Sequence, residues 1–263
     1  MSRSSRPAQT SSHRVYEHLK HDIVTCDFLP GKSLSEQELC RRYHTSRTPV
    51  REACRRLEKD GLIKIIPFRG YFVAPLTMAE YHNLNEVQLI VEPAAAALAA
   101  QRATPDQLKQ IEEWAEYVYR VGNQKSYYTF LDRNYSLHVG IATASGNESL
   151  VEIASQVHTR LMRFFYLVIS VDSYGPELVA EHREIVRAIG NRDPESARQR
   201  TAEHIVHTMQ RSANLLLAST RSQLGFLSPM PEWPALGVTT PHEWPQISGM
   251  ADEEERQSRR KNR

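Results

Sequence analysis

The chain has 263 residues, enough for two domains at the usual ~100–200 residues each, and its 40% hydrophobic side chains are enough for a packed core. A wholly disordered chain is excluded on that ground, and no uncharged apolar run approaches the ~20 residues that a membrane-spanning helix needs. The net charge is +2, but residues 1–76 carry 14 basic and 8 acidic side chains (+6) and residues 77–263 carry 19 and 23 (−4), which points to an anionic partner for the first part, with nucleic acid the leading candidate.

Residues 1–12 are rich in Ser, Arg, Gln and Pro and lack an apolar signal core, so they predict a flexible arm rather than a secretion signal. Cys26, Cys40 and Cys54 form no CxxC pair, which fits a reduced, cytoplasmic chain with thiols acting as small apolar residues. A domain is expected over 13–76. Val15, Leu19 and Ile23 mark a first helix from His13, stopped near Leu29-Pro30-Gly31. Ser35 and Glu38 form a capping box that opens a short helix through Leu39 to Tyr43. After a turn at 44–46, a third helix runs from about Thr48 to Asp60 and stops at Gly61. Two β-rich runs around Pro67-Phe68-Arg69-Gly70 then read as a hairpin.

That order is the order of a winged helix-turn-helix. On a wheel, Val50, Ala53, Cys54 and Leu57 of the third helix share one arc of about 100°, while Arg47, Arg51 and Arg55 occupy the neighbouring arc. One face therefore packs on the domain and the next offers guanidiniums, which bind phosphate and read guanine edges.

From Thr77 the pattern is helical throughout, predicting an all-helical bundle over 77–218 and hence a mainly α protein. The expected segments are 77–102 (interrupted by Pro93), one opening at Thr104-Pro105, then 126–144, 149–169, 176–189 and 194–218. Residues 219–263 lose the pattern, repeat Glu-Trp-Pro at 232–234 and 243–245, and predict a disordered tail.

Thr48-Pro49-Val50-Arg51-Glu52-Ala53, Gly61-Leu62-Ile63 and Pro67-Phe68-Arg69-Gly70-Tyr71-Phe72-Val73 look like the N-terminal domain of GntR-family transcriptional regulators. Leu137-His138, Ala144-Ser145-Gly146-Asn147, Glu181-His182-Arg183 and Ala202-Glu203-His204 resemble the FCD effector-binding domain of the FadR-type branch. The resemblance implies a homodimer on a pseudo-palindromic double-stranded DNA operator, with the third helix in the major groove. It assigns DNA contacts to Ser46, Arg47, Thr48 and Arg51, and wing-tip roles to Arg69 and Gly70; Gln37 stands where some members carry an Arg. It also places His138, His182 and His204 at metal-ligand positions, with Asn134 at the fourth.

Asn134 and His138 lie one helical turn apart and face the same way, whereas Asp132 points elsewhere. Neutral imidazoles suit a divalent ion, zinc or nickel first. Three imidazoles and an amide bring no negative charge, so a small organic carboxylate is the expected effector, with Arg160 and Arg163 expected to help hold it. His207 is an alternative or supporting group, His158 reads as structural, and Glu181 and Glu203 as solvent-facing or supporting. Two other functions remain open: a metallohydrolase fused to a nucleic-acid module, and a DNA-binding protein whose helical part only dimerises. No nucleophile elbow, P-loop or dinucleotide fingerprint favours an enzyme.

Overall fold

The computed structural model describes residues 10–120, 122–169 and 175–220. Helix α1 (Ser11–Val24), strand β1 (Ser33–Leu34), helices α2 (Glu36–Arg42) and α3 (Arg47–Lys59), and strands β2 (Ile63–Ile66) and β3 (Gly70–Val73) form the N-terminal part. The strands make an antiparallel sheet in the order β1-β3-β2, with Ile63 facing Val73 and Ile66 facing Gly70. The arrangement is a winged helix-turn-helix. Strand β1, two residues long and paired with Phe72 and Tyr71, is absent from the sequence reading because two residues carry no period.

Three residue choices fix the local geometry. Ser35 caps α2 by accepting from the Glu38 amide. Gly61 ends α3 with φ +75°, and Gly70 starts β3 with φ +95°. Leu19, Ile23, Leu39, Val50, Leu57 and Leu62 are fully enclosed in one apolar core, and Cys54 packs among them with its thiol pushed up to about 12 by burial.

Residues 10–12, expected in a flexible arm, belong to α1: Thr10 caps it by accepting from the His13 amide. Residues 1–9 and 221–263, including both Glu-Trp-Pro sites, lie outside the described residues.

The second part is helical: α4 (Met78–Arg102), α5 (Pro105–Ala115), α6 (Gln124–Ala144), α7 (Glu148–Ile169), α8 (Gly175–Gly190) and α9 (Pro194–Thr220). Helix α4 packs against α6, α7, α8 and α9. Its buried alanines, Ala95, Ala96, Ala97, Ala99 and Ala100, let these neighbours approach closely. Pro93 sits inside α4 without ending it. Among the described residues no helix is long and apolar enough to cross a membrane.

A histidine-lined cavity and an arginine-bearing helix

Four buried histidines come from four different helices: His138 from α6, His158 from α7, His182 from α8 and His204 from α9. One ring nitrogen from each of His138, His182 and His204 lies within 4.8 Å of the others. The three rings are buried, with centroids 5.5 Å (138–182), 5.4 Å (138–204) and 4.7 Å (182–204) apart.

Carboxylates orient two of these rings. His138 Nδ1 donates to Glu92 Oε2 at 2.8 Å, and His204 Nδ1 donates to Glu181 Oε2 at 2.8 Å. Both rings therefore keep Nε2 for another partner. Buried His182 Nε2 has no hydrogen-bond partner. An orphaned buried imidazole nitrogen beside two rings with a committed Nδ1 is the donor set a divalent ion requires, so the residues present fit one.

Burial first, then neighbouring His158, pushes His138 down to about 4, and burial also drives His182 well below the ordinary histidine value. Neutral rings result, which is the ligating form. Burial alone would raise Glu92, but the imidazoles of His158 and His138 outweigh it and hold the carboxyl below its usual range. Glu181 behaves alike: burial opposes ionisation, yet Arg211 and His204 bring it down to about 2.

Sequence reasoning missed Glu92 and underrated His158. Glu92 lies between the two rings, with His158 Nε2 donating to its Oε1 at 2.5 Å. A second possible ligand group, Glu92 with His138 and His158, is thus already joined by direct hydrogen bonds. The available signal was three polar residues at helical spacing, Asn85, Gln88 and Glu92, on the face of α4 that also holds Leu84 and Ala96. Glu181, left open between two readings, takes the supporting one: it accepts from His204, from His207 at 3.1 Å, and from both terminal nitrogens of Arg211 at 2.8 Å.

The cavity beside the rings measures about 30 Å³, and Asn134 lines it together with His138, His158 and His204. Phe130, Leu131, Phe165, Val168, Leu178 and Ile205 supply an apolar wall, and Thr208, Arg211 and Ser212 a polar one.

Arg160 and Arg163 are not brought to this cavity, and the expectation that they hold an effector there is corrected. About 200° and 140° separate them from His158 on α7, so they leave from the opposite side of that helix. Arg160 bonds Glu80 Oε1 through Nε at 3.0 Å and Nη2 at 2.6 Å, and its side chain packs on Gly61. Arg163 is buried and donates from Nη2 to the Ala74 carbonyl at 2.6 Å. Arg160 thus ties α7 to the first turn of α4 and packs on Gly61 of the N-terminal part, while Arg163 ties α7 to the segment between β3 and α4. The arginine on the cavity wall is Arg211.

On the N-terminal part, Ser46, Arg47, Thr48 and Arg51 are exposed along the start of α3, and Arg69 is exposed on the wing beside half-buried Gly70. Ser46 is the N-cap of α3 but its hydroxyl makes no capping bond, so it and the first-turn amides face outward together. Arg51 bonds Glu36 through Nε at 2.6 Å and Nη2 at 3.1 Å, and the Tyr71 hydroxyl donates to the same carboxylate at 3.1 Å. These bonds, Arg51 foremost, hold Glu36 below the usual carboxylate range.

Residues 11–73 match the profile of the bacterial regulatory proteins of the gntR family, and residues 83–207 match the FCD domain. The HTH-type transcriptional repressor RspR of Escherichia coli is 29% identical over 201 residues, covering 76% of this chain and 87% of that protein. The galactonate operon transcriptional repressor of the same organism is 27% identical over 219 residues, covering 75% and 95%. The solved structure of E. coli McbR/YncC shares the fold, with a TM-score of 0.65 at 22% identity over 80% of this chain and 99% of that one. These relatives and families are transcriptional regulators, not enzymes, so the hydrolase alternative falls. The chain belongs to the GntR family of bacterial regulatory proteins, and it joins that family's winged helix-turn-helix to an FCD domain.

Proposed function

We propose that the protein is a cytoplasmic, metabolite-responsive repressor that binds a pseudo-palindromic operator as a homodimer and senses a small organic carboxylate at a metal ion. The observation that carries this reading is the orphaned His182 nitrogen, buried beside His138 and His204 in a domain tied to a DNA-binding fold. His138, His182 and His204 would hold zinc or nickel, with Asn134 as the fourth protein ligand. A bound divalent ion would supply positive charge and open positions for an anionic oxygen. Arg211 and Thr208 stand on the wall where the rest of the acid would lie. Ser46, Arg47, Thr48 and Arg51 would meet the major groove, and Arg69 and Gly70 the neighbouring backbone or minor groove.

Cavity size supports a sensor rather than a fixed cofactor site. About 30 Å³ admits a water or two, not an organic acid. Entry of an acid must displace the walls, one of which is α7. The same helix carries Arg160 and Arg163 against Glu80, Gly61 and Ala74, so displacement at the cavity reaches the DNA-binding part through one rigid element. Relatives named as repressors, one of them of the galactonate operon, favour repression and a sugar-acid effector.

The test is a thermal-shift screen of the full chain against small carboxylates, before and after chelation. One acid is expected to raise the melting temperature of the zinc- or nickel-loaded protein and to lose that effect on chelation. An acid that stabilises both forms equally sinks the metal role. No response from any acid in either form sinks the sensor reading and leaves the helical domain as a dimeriser.

A further inference from the structure

The wing carries a side chain that neither a core nor a salt-bridging role explains. Phe68, in the three-residue loop 67–69 between β2 and β3, has a relative exposure of 109%, the largest among the exposed apolar residues described. Its backbone takes φ +62°, a left-handed conformation that turns normally give to Gly, Asn or Asp. An aromatic ring is thus held in water on a strained backbone, two unfavourable choices at one position.

The loop beneath it is well anchored. Ile66 pairs with Gly70, Arg69 N–H donates to the Ile66 carbonyl at 3.0 Å, and Gly70 lies close to the Leu34 carbonyl oxygen, 3.3 Å from where a Cβ would be. The ring is therefore presented on a rigid two-stranded finger. Exposed Arg69 follows it, with its guanidinium 5.6 Å from the Phe72 ring, and exposed Lys64 lies on the adjoining strand. An apolar tip flanked by cations, at the end of the segment that holds the chain's excess positive charge, suits a phosphate-lined groove better than an apolar protein surface.

We propose that Phe68 is a DNA wedge: its ring enters the minor groove beside the wing, partly unstacks one base step and bends the duplex, while Arg69 holds the adjacent phosphates. The proposal rests on the DNA-binding reading above and adds a specificity determinant to it. Unstacking is easiest at pyrimidine–purine steps. The operator should therefore carry a TA or CA/TG step at each flank, outside the bases that α3 reads.

The test uses the full chain and DNA selected by it from a random-sequence pool. Selected DNA is expected to hold such a step at a fixed flank position, and the wild type to bend it in a circular-permutation assay. Phe68→Ala and Phe68→Ser should abolish the bend and weaken binding about ten-fold, while Phe68→Leu, which keeps an apolar wedge, retains most of both. Arg69→Ala should instead flatten the salt dependence of binding. An unbent wild-type complex, or equal bending and affinity for Phe68→Ala, overturns the wedge. A change in sedimentation with no change in bend assigns the ring to a second copy of the chain and also overturns it. If no sequence is enriched at all, the DNA-binding reading has failed rather than the wedge alone.

Discussion

Glu92 shows how one carboxylate can set the chemistry of a site it does not enter. By accepting from His138 Nδ1 it fixes the ring's tautomer and aims Nε2 at the other two rings. Glu92→Gln is expected to weaken zinc or nickel binding about 10–100-fold, read by competition with a chelator of known affinity. Unchanged affinity would show that helix packing alone orients His138.

The same burial makes the chelated protein acid-sensitive. The folded-state value of His138 lies near 4, below its unfolded value of 6.5. The unfolded chain therefore binds the proton first, and stability falls as pH drops from 6.5 toward 4, by about 1.4 kcal/mol per unit for this residue. His182 acts in the same direction. Below the ordinary carboxylate range, protonation of Glu92 and Glu181 adds a further loss. Melting temperatures of the chelated chain should decline between pH 7 and 5, and a flat profile there would contradict the buried, neutral assignment.

At the scale of the element, α7 is a two-sided lever. His158, Phe165 and Val168 face the cavity, and on the other side Arg160 packs on Gly61 of the N-terminal part and Arg163 bonds Ala74 where that part joins α4. Replacing Arg160 by Ala should leave the thermal shift from the identified acid intact yet shrink the effect of that acid on DNA affinity, which coupling of this kind usually sets at about 5–150-fold. The Arg160–Glu80 pair is partly exposed, so its loss should cost little stability. A variant whose DNA binding still responds fully to the acid would place the coupling elsewhere.

Element-scale features were also the most legible in the sequence. The apolar arc of α3, its stop at Gly61 and the Ser35 cap follow from periodicity and local hydrogen bonding, and those signals survive folding unchanged. The three histidines were visible through the resemblance. Glu92 and the true orientation of Arg160 and Arg163 were harder, because they depend on which face of a helix meets which neighbour. Spacing within one helix can say that His158 and Arg160 point apart. It cannot say that residue 92 reaches residues 138 and 158.

For the whole molecule, the decisive quantity is the uneven charge, +6 before Leu76 ends and −4 after it. Binding should weaken steeply with added salt as counterions return to the phosphates. That attraction is indifferent to sequence, so it would hold the protein on any DNA. The Arg51–Glu36 pair works against it. A guanidinium already held by a carboxylate gains little from a stray phosphate, and the carboxylate itself repels the backbone. A phosphate and a guanine edge each offer two acceptors that can replace those bonds, but Glu36 repels the charged one more strongly. Glu36→Gln should therefore bind random DNA more tightly while the ratio of selected-site to random-site affinity falls; a ratio that holds or rises would reject this role. A falling ratio would mean that discrimination comes from subtraction, with one acidic side chain keeping the regulator from settling on the rest of the chromosome.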